Sequence, residues 1–135
     1  MNRSYLKNLG IKIEDTPWGW NKGDYREEEW KLSREIDGFD ERETWDLSYT
    51  INLLLYERLC RYKEIAEKYV NLDFHKFNFN GEILTQRECI NRIIEGLEYE
   101  LLLDSMDERR NDEHIKKSID EIYKIYDICK HTLWW

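Results

Sequence analysis

Ile115, Ile119, Ile122, Tyr126, Cys129 and Leu133 follow one another at steps of four and three without a miss. That spacing keeps a single apolar line on one face of an α-helix and suits near-parallel packing, in a bundle or across a dimer interface. Two further stripes precede it. Ile51, Leu54, Leu55, Leu59, Tyr62, Ile65, Ala66 and Tyr69 form the first, and Ile90, Ile93, Ile94, Leu97 and Leu101 the second. Three such stripes in 135 residues predict an all-α fold: a single domain over 1–135 built on a bundle of three long helices, at 47–70, 86–106 and 112–133. Local signals agree. Asp46 or Ser48 can cap the first helix, and Asp40 with Glu43 a helical turn before it. Thr85 followed by Glu88 is a capping box for the second, with Leu84 placed to staple onto Cys89. Gly96 costs a helix interior about 1 kcal/mol relative to Ala, so it marks a close helix crossing.

Residues 1–37 carry Gly10, Pro17, Gly19 and Gly23 and no sustained stripe, so they read as an aromatic-rich, mostly irregular N-terminal arm lying across the bundle. A short strand is expected around 11–14. Several of Trp18, Trp20, Tyr25 and Trp30 are expected to dock on the core, because that many exposed rings invite aggregation. Residues 71–81 break the helical pattern, with Phe74, Phe77 and Phe79 packing inward, and 107–112 form a polar connection. The closing Trp134 and Trp135 are expected to dock.

The net charge of −8 is uneven: between Asp24 and Asp46 ten acids face four bases, leaving −6 in that stretch. An acidic chain repels a phosphate backbone at long range, which argues against long nucleic acid. A small anion in a locally basic pocket stays open, since a pocket's field depends on its nearest charges. No apolar run approaches the roughly 18 residues of a membrane span, and the first ten residues lack the apolar core of a signal peptide. A cytoplasmic protein is expected. Cys60, Cys89 and Cys129 have neither disulfide-framework nor zinc-knuckle spacing and read as buried, reduced thiols.

Signatures of catalysis are missing from the chain: there is no glycine-rich phosphate loop, no nucleophile elbow and no His pair at i,i+4 spacing. No catalytic residue, metal or cofactor is expected, and the chain does not read as an enzyme. Arg58 is the exception to a bland surface. Counted at about 100° per residue it falls between Leu54 and Tyr62 on the first apolar stripe, where an unpaired charge costs several kcal/mol. Burial of Arg58 is therefore expected, with one of two partners. The first is an internal acid, Glu100 or Asp104. The second is an anionic ligand gripped by Arg58 and Arg61 with Trp45 or a neighbouring ring stacked on it, since a guanidinium binds phosphate bidentately and stacks on rings. Arg42 completes the ligand-binding candidates, which are Arg42, Trp45, Arg58 and Arg61.

Gly38, Phe39, Arg42, Thr44, Trp45, Leu47, Thr50 and Ile51, followed by Arg58, Leu59, Arg61 and Tyr62, make a pattern that resembles a family of small uncharacterised proteins of bacteriophages and prophages. The closing Leu133-Trp134 resembles the end of such proteins. Glu57 stands where that pattern commonly has proline, and Ser48 where it frequently has Asp. The resemblance implies a viral accessory protein and carries no activity or catalytic residue with it.

Together these readings predict a non-enzymatic phage accessory protein, a homo-oligomer in the bacterial cytoplasm. It would sequester a small anionic ligand, a nucleotide immune signal of the host. The alternative is an acidic protein–protein inhibitor that covers a basic surface of a host defence protein, with the 24–46 charge bias and the third stripe as its motive.

Overall fold

Helices Ser4–Asn8 (α1), Glu27–Asp37 (α2), Arg42–Trp45 (α3) and Leu47–Ala66 (α4) are followed by strands Lys76–Phe79 (β1) and Glu82–Thr85 (β2), then by Gln86–Asp104 (α5) and Glu113–Cys129 (α6). The computed structural model describes residues 3–104 and 113–135, and the side chains of 3–102 and 119–135. The expected connection at 107–112, the ends of the second and third helices at 106 and 112, and the side chains of Asp104 and Ile115 lie outside the described residues. Among the described residues the fold is mixed, 63% helical with six α-helices and a two-stranded antiparallel sheet. It is not the all-α bundle of three long helices that periodicity predicts. Two compact units divide the chain, residues 1–54 and 55–135, and α4 contributes its opening turns to the first and the rest to the second.

In the first unit the expected irregular arm carries two α-helices, α1 and α2, and is irregular between them apart from one 3₁₀ turn. The strand expected at 11–14 is replaced by a 3₁₀ turn at Ile13–Asp15. Helix α2 escapes a periodicity reading because only Trp30, 2% exposed, is buried on it, while Leu32 and Ile36 point outward at 55% and 72%. Of the expected docked rings, Trp30 is buried and Trp18 and Trp20 are half-buried, whereas Tyr25 is 91% exposed. Asp46 does cap α4, accepting the Tyr49 amide at 3.2 Å.

The second unit holds the aliphatic core. Leu84, Ile90, Ile93, Leu97 and Leu101 are sealed on β2 and α5, and Ile122, Ile125 and Cys129 are buried on α6, which packs along α5. The capping box is reciprocal: Thr85 N–H to Glu88 Oε1 and Glu88 N–H to Thr85 Oγ1, both 3.1 Å. Ahead of it the chain forms a hairpin, with Lys76 opposite Thr85 and Phe79 opposite Glu82. Asn80 and Gly81 turn it with φ of 51° and 86°, the two positive values that a two-residue type I′ turn requires. Phe79 is buried and Phe77 half-buried, but Phe74 stays 73% exposed against expectation. Trp134 and Trp135 are also more than half exposed, although Trp135 stacks on Tyr69 with centroids 5.2 Å apart.

Gly96 is the crossing point of α5 and α6, as its place mid-helix suggests. A Cβ there would meet Ile122 Cδ1 and lie 2.5 Å from its Cγ1. Overpacking of this kind costs about 1–3 kcal/mol, and the better helix propensity of Ala returns about 1 kcal/mol. Gly96→Ala should therefore lower stability by up to about 2 kcal/mol in a urea melt, and Ile122→Ala in the same chain should relieve the clash.

Two thiols that are far apart in sequence meet in this unit. Cys89 and Cys129 are sealed at 1% and 0% exposure, and the neighbouring Cys89 thiol together with burial holds Cys129 well above the ordinary thiol range. Cys60 is half-buried, and burial pushes it up as well. In the native protein Cys60 should be alkylated first, and Cys89 and Cys129 only on unfolding, as peptide mass mapping would show.

Candidate functional site

Unit 1 is organised around charge and aromatic rings rather than aliphatic packing. Its sealed residues include Asp40, Arg42, Thr16 and Trp30 beside Leu6 and Leu53. Asp40, 2% exposed, accepts the Arg42 backbone N–H at 2.9 Å, Arg42 Nε at 3.0 Å and Nη2 at 2.9 Å, and Arg34 Nη1 at 2.7 Å. Burial alone would raise this carboxyl, but the hydrogen bonds from Arg42 and Arg34 outweigh it and hold it below the usual carboxylate range. The same clamp recurs sixteen residues earlier, where Asp24 takes the Arg26 N–H at 2.9 Å, Nε at 3.0 Å and Nη2 at 3.1 Å. Both guanidinium groups face Trp30, Arg42 at 4.4 Å and Arg26 at 5.0 Å from the ring centroid. Trp30 in turn donates Nε1 to Glu41 at 2.9 Å. An Asp two residues before an Arg, repeated at 24 and 40 and each time followed by a Trp, is the signal that a reading of stripes alone passes over.

The four candidate ligand residues separate into two pairs. Arg42 and Trp45 both touch Trp30, the latter edge-on at 5.9 Å, and Trp45 also stacks on Trp20 at 6.3 Å. Arg42 is committed inward, however, because its third guanidinium nitrogen, Nη1, donates to the Trp20 carbonyl at 2.8 Å. Arg58 and Arg61 belong to the second unit. Arg58 is exposed rather than buried. The buried arc of α4 runs through Asn52, Leu53, Tyr56 and Leu59, and Arg58 lies roughly 200° round the helix from Tyr56. Apolar residues encircle α4 so fully, with Leu47 and Ile51 on the outside, that periodicity set its inner face wrongly. Arg61 pairs with Glu64 at 3.4 Å in an exposed i,i+3 contact.

A basic cleft opens elsewhere in unit 1. Helix α1 ends in a Schellman turn, with Ile11 N–H to Leu6 O at 2.9 Å and Gly10 N–H to Lys7 O at 3.0 Å. Gly10 supplies the left-handed residue, φ 91°, that this turn needs. The reversal folds Lys12 back toward α1, and Arg3, Lys7 and Lys12 with the single acid Glu14 line a cleft of about 620 Å³ floored by Leu6 and Thr16. Arg3 is fixed by lying 3.7 Å over the Trp18 ring. Lys7 and Lys12 are exposed and engage no carboxylate among the described residues. Three bases against one acid make this a positive pocket in a chain of net charge −8.

Among the described residues no group of His, Cys, Asp and Glu is placed to hold a metal ion, and no helix is long and apolar enough to cross a membrane. Compared with protein-family models, curated proteins and solved structures, the chain matches none.

Proposed function

We propose that this is a non-enzymatic binding protein that captures a small anionic ligand, of the size and charge of a signalling nucleotide, in the cleft between α1 and the 3₁₀ turn. The observation that supports it is the concentration of Arg3, Lys7 and Lys12 around 620 Å³ of space in an otherwise acidic molecule. That volume falls within the range of small-ligand sites, about 300–1,000 Å³. Charge-assisted hydrogen bonds to phosphate oxygens are the contacts such donors make, while the net negative field disfavours a polyanion. The resemblance of residues 38–62 to bacteriophage proteins makes a host nucleotide signal the ligand class to try first. Calorimetry with cyclic dinucleotides and cyclic ADP-ribose isomers tests the reading. Binding should weaken as salt is raised, and failure of the whole panel to bind would count against it.

A second reading, capture of a basic partner protein, is favoured by the outer face of α2. There Leu32 and Ile36 stand one turn apart, exposed, among Glu28, Glu29 and Glu35. An apolar pair bordered by acids complements a hydrophobic surface bordered by Lys and Arg. Leu32→Ser with Ile36→Ser should leave the melting temperature within a few degrees of wild type, because neither side chain is buried. In this reading it abolishes retention of a host protein on the immobilised chain; retention that persists in the double variant would exclude the face.

A further inference from the structure

A second cleft, in unit 2, combines exposed rings with a buried amide. Phe74, His75, Gln86 and Trp134 are among the residues that line about 310 Å³ of mostly apolar space, with Val70, Asn71 and Thr132 completing it. Phe74 and Trp134 are 73% and 64% exposed, whereas Gln86 at the same cleft is 2% exposed. The Gln86 amide is held in one orientation: Nε2 donates to the Tyr62 hydroxyl at 3.0 Å and to the Thr132 carbonyl at 3.1 Å. Both N–H groups are thereby used, and the carbonyl oxygen Oε1 receives no donor from the described residues. Gln86 lines the cleft, and Oε1 is the amide atom left to accept a hydrogen bond there. The walls are braced from behind. The Trp134 carbonyl accepts the Tyr62 hydroxyl at 3.0 Å, Trp135 stacks on Tyr69, and Phe74 meets the edge of His75 at 5.2 Å.

An acceptor fixed at the side of an apolar slot, with large rings at its mouth, fits a flat heterocycle that carries an N–H donor. The geometry points to a binding site for one aminopurine ring, as in a free nucleoside. Its face lies against Trp134 and Phe74, and its exocyclic amine donates to Gln86 Oε1. No Lys or Arg lines this cleft, so the ring and not a phosphate is what it recognises. The site is independent of the basic cleft in unit 1. Discrimination comes from the amide, because a ligand without the amine leaves a buried acceptor unpaired.

The test is titration of the full chain with adenosine, followed by amide chemical shifts and calorimetry. Saturable binding is expected, with shifts at residues 70–75, 86 and 132–134. Purine riboside, which lacks the exocyclic amine, should bind at least tenfold more weakly. Trp134→Ala keeps the backbone carbonyl that Tyr62 needs and should lose about tenfold in affinity at an unchanged melting temperature. Absence of saturable adenosine binding, purine riboside binding as well as adenosine, or shifts confined to other residues would each overturn the site. Binding of an oligoadenylate without binding of the nucleoside would overturn it too.

Discussion

Replacing Asp40 with asparagine should destabilise the protein by about 3–5 kcal/mol, the cost of leaving a buried arginine without its counter-charge. Asparagine keeps the shape and one acceptor for the Arg42 backbone, so what is removed is the charge facing Arg42 and Arg34. A pH dependence accompanies the loss. Asp40 is held below its ordinary value of 3.8 in the folded protein, so its contribution is fully present above 3.8 and disappears as pH falls through the lower, folded value. Urea melts followed by tryptophan fluorescence should show the full gap between wild type and Asp40→Asn at neutral pH. The gap should narrow as pH is taken well below 3.8. A gap that stayed constant into strong acid would mean that the carboxylate charge is not what stabilises this loop.

Trp30→Ala should have a comparable effect, about 3–5 kcal/mol for deleting a large buried ring. The ring is the shared surface for Arg26, Arg42 and Trp45 and donates to Glu41. Its removal leaves a cavity beside two guanidinium groups, and the unit has few aliphatic side chains to collapse into it. Trp30→Phe should recover part of the loss, since packing and the cation–ring contacts survive while the Glu41 hydrogen bond does not. Near-ultraviolet circular dichroism should report the change directly, because the stacking of Trp20 and Trp45 adjoins the missing ring. An alanine variant as stable as wild type would remove Trp30 from the centre of unit 1.

The parts of the fold legible from residues alone are those whose determinants are local. Thr85 and Glu88 cap α5 because a capping box needs only residues three apart, and Gly96 announces the α5–α6 crossing because a helix tolerates glycine only for a reason. The hairpin was equally local, written in Asn80-Gly81, but its four-residue strands are too short for alternation to stand out from the phenylalanines around them. Helix α2 is hidden for the opposite reason, since its aliphatic residues face outward and its buried face is one tryptophan. Its acidic opening and the terminal Gly38 are the signals that mark it. Arg58 was misplaced because α4 is apolar around most of its circumference, so a helical wheel finds a stripe without finding its direction. The basic cleft was not legible at all. Arg3 and Lys7 lie one helical turn apart, but Lys12 joins them only through the Schellman turn at Gly10.

In the proposed function it is this cleft, and not the arginines of α4, that holds the small anion. Calorimetric titration of the nucleotide panel into wild type, Lys7→Glu with Lys12→Glu, and Arg61→Ala measures it most directly. All the altered residues are exposed, so the variants should fold as wild type does. Wild type is predicted to bind at least one member, the double charge reversal to lose tenfold or more of that affinity, and Arg61→Ala to bind unchanged. Binding untouched by the reversal at Lys7 and Lys12, or lost in Arg61→Ala, would contradict it.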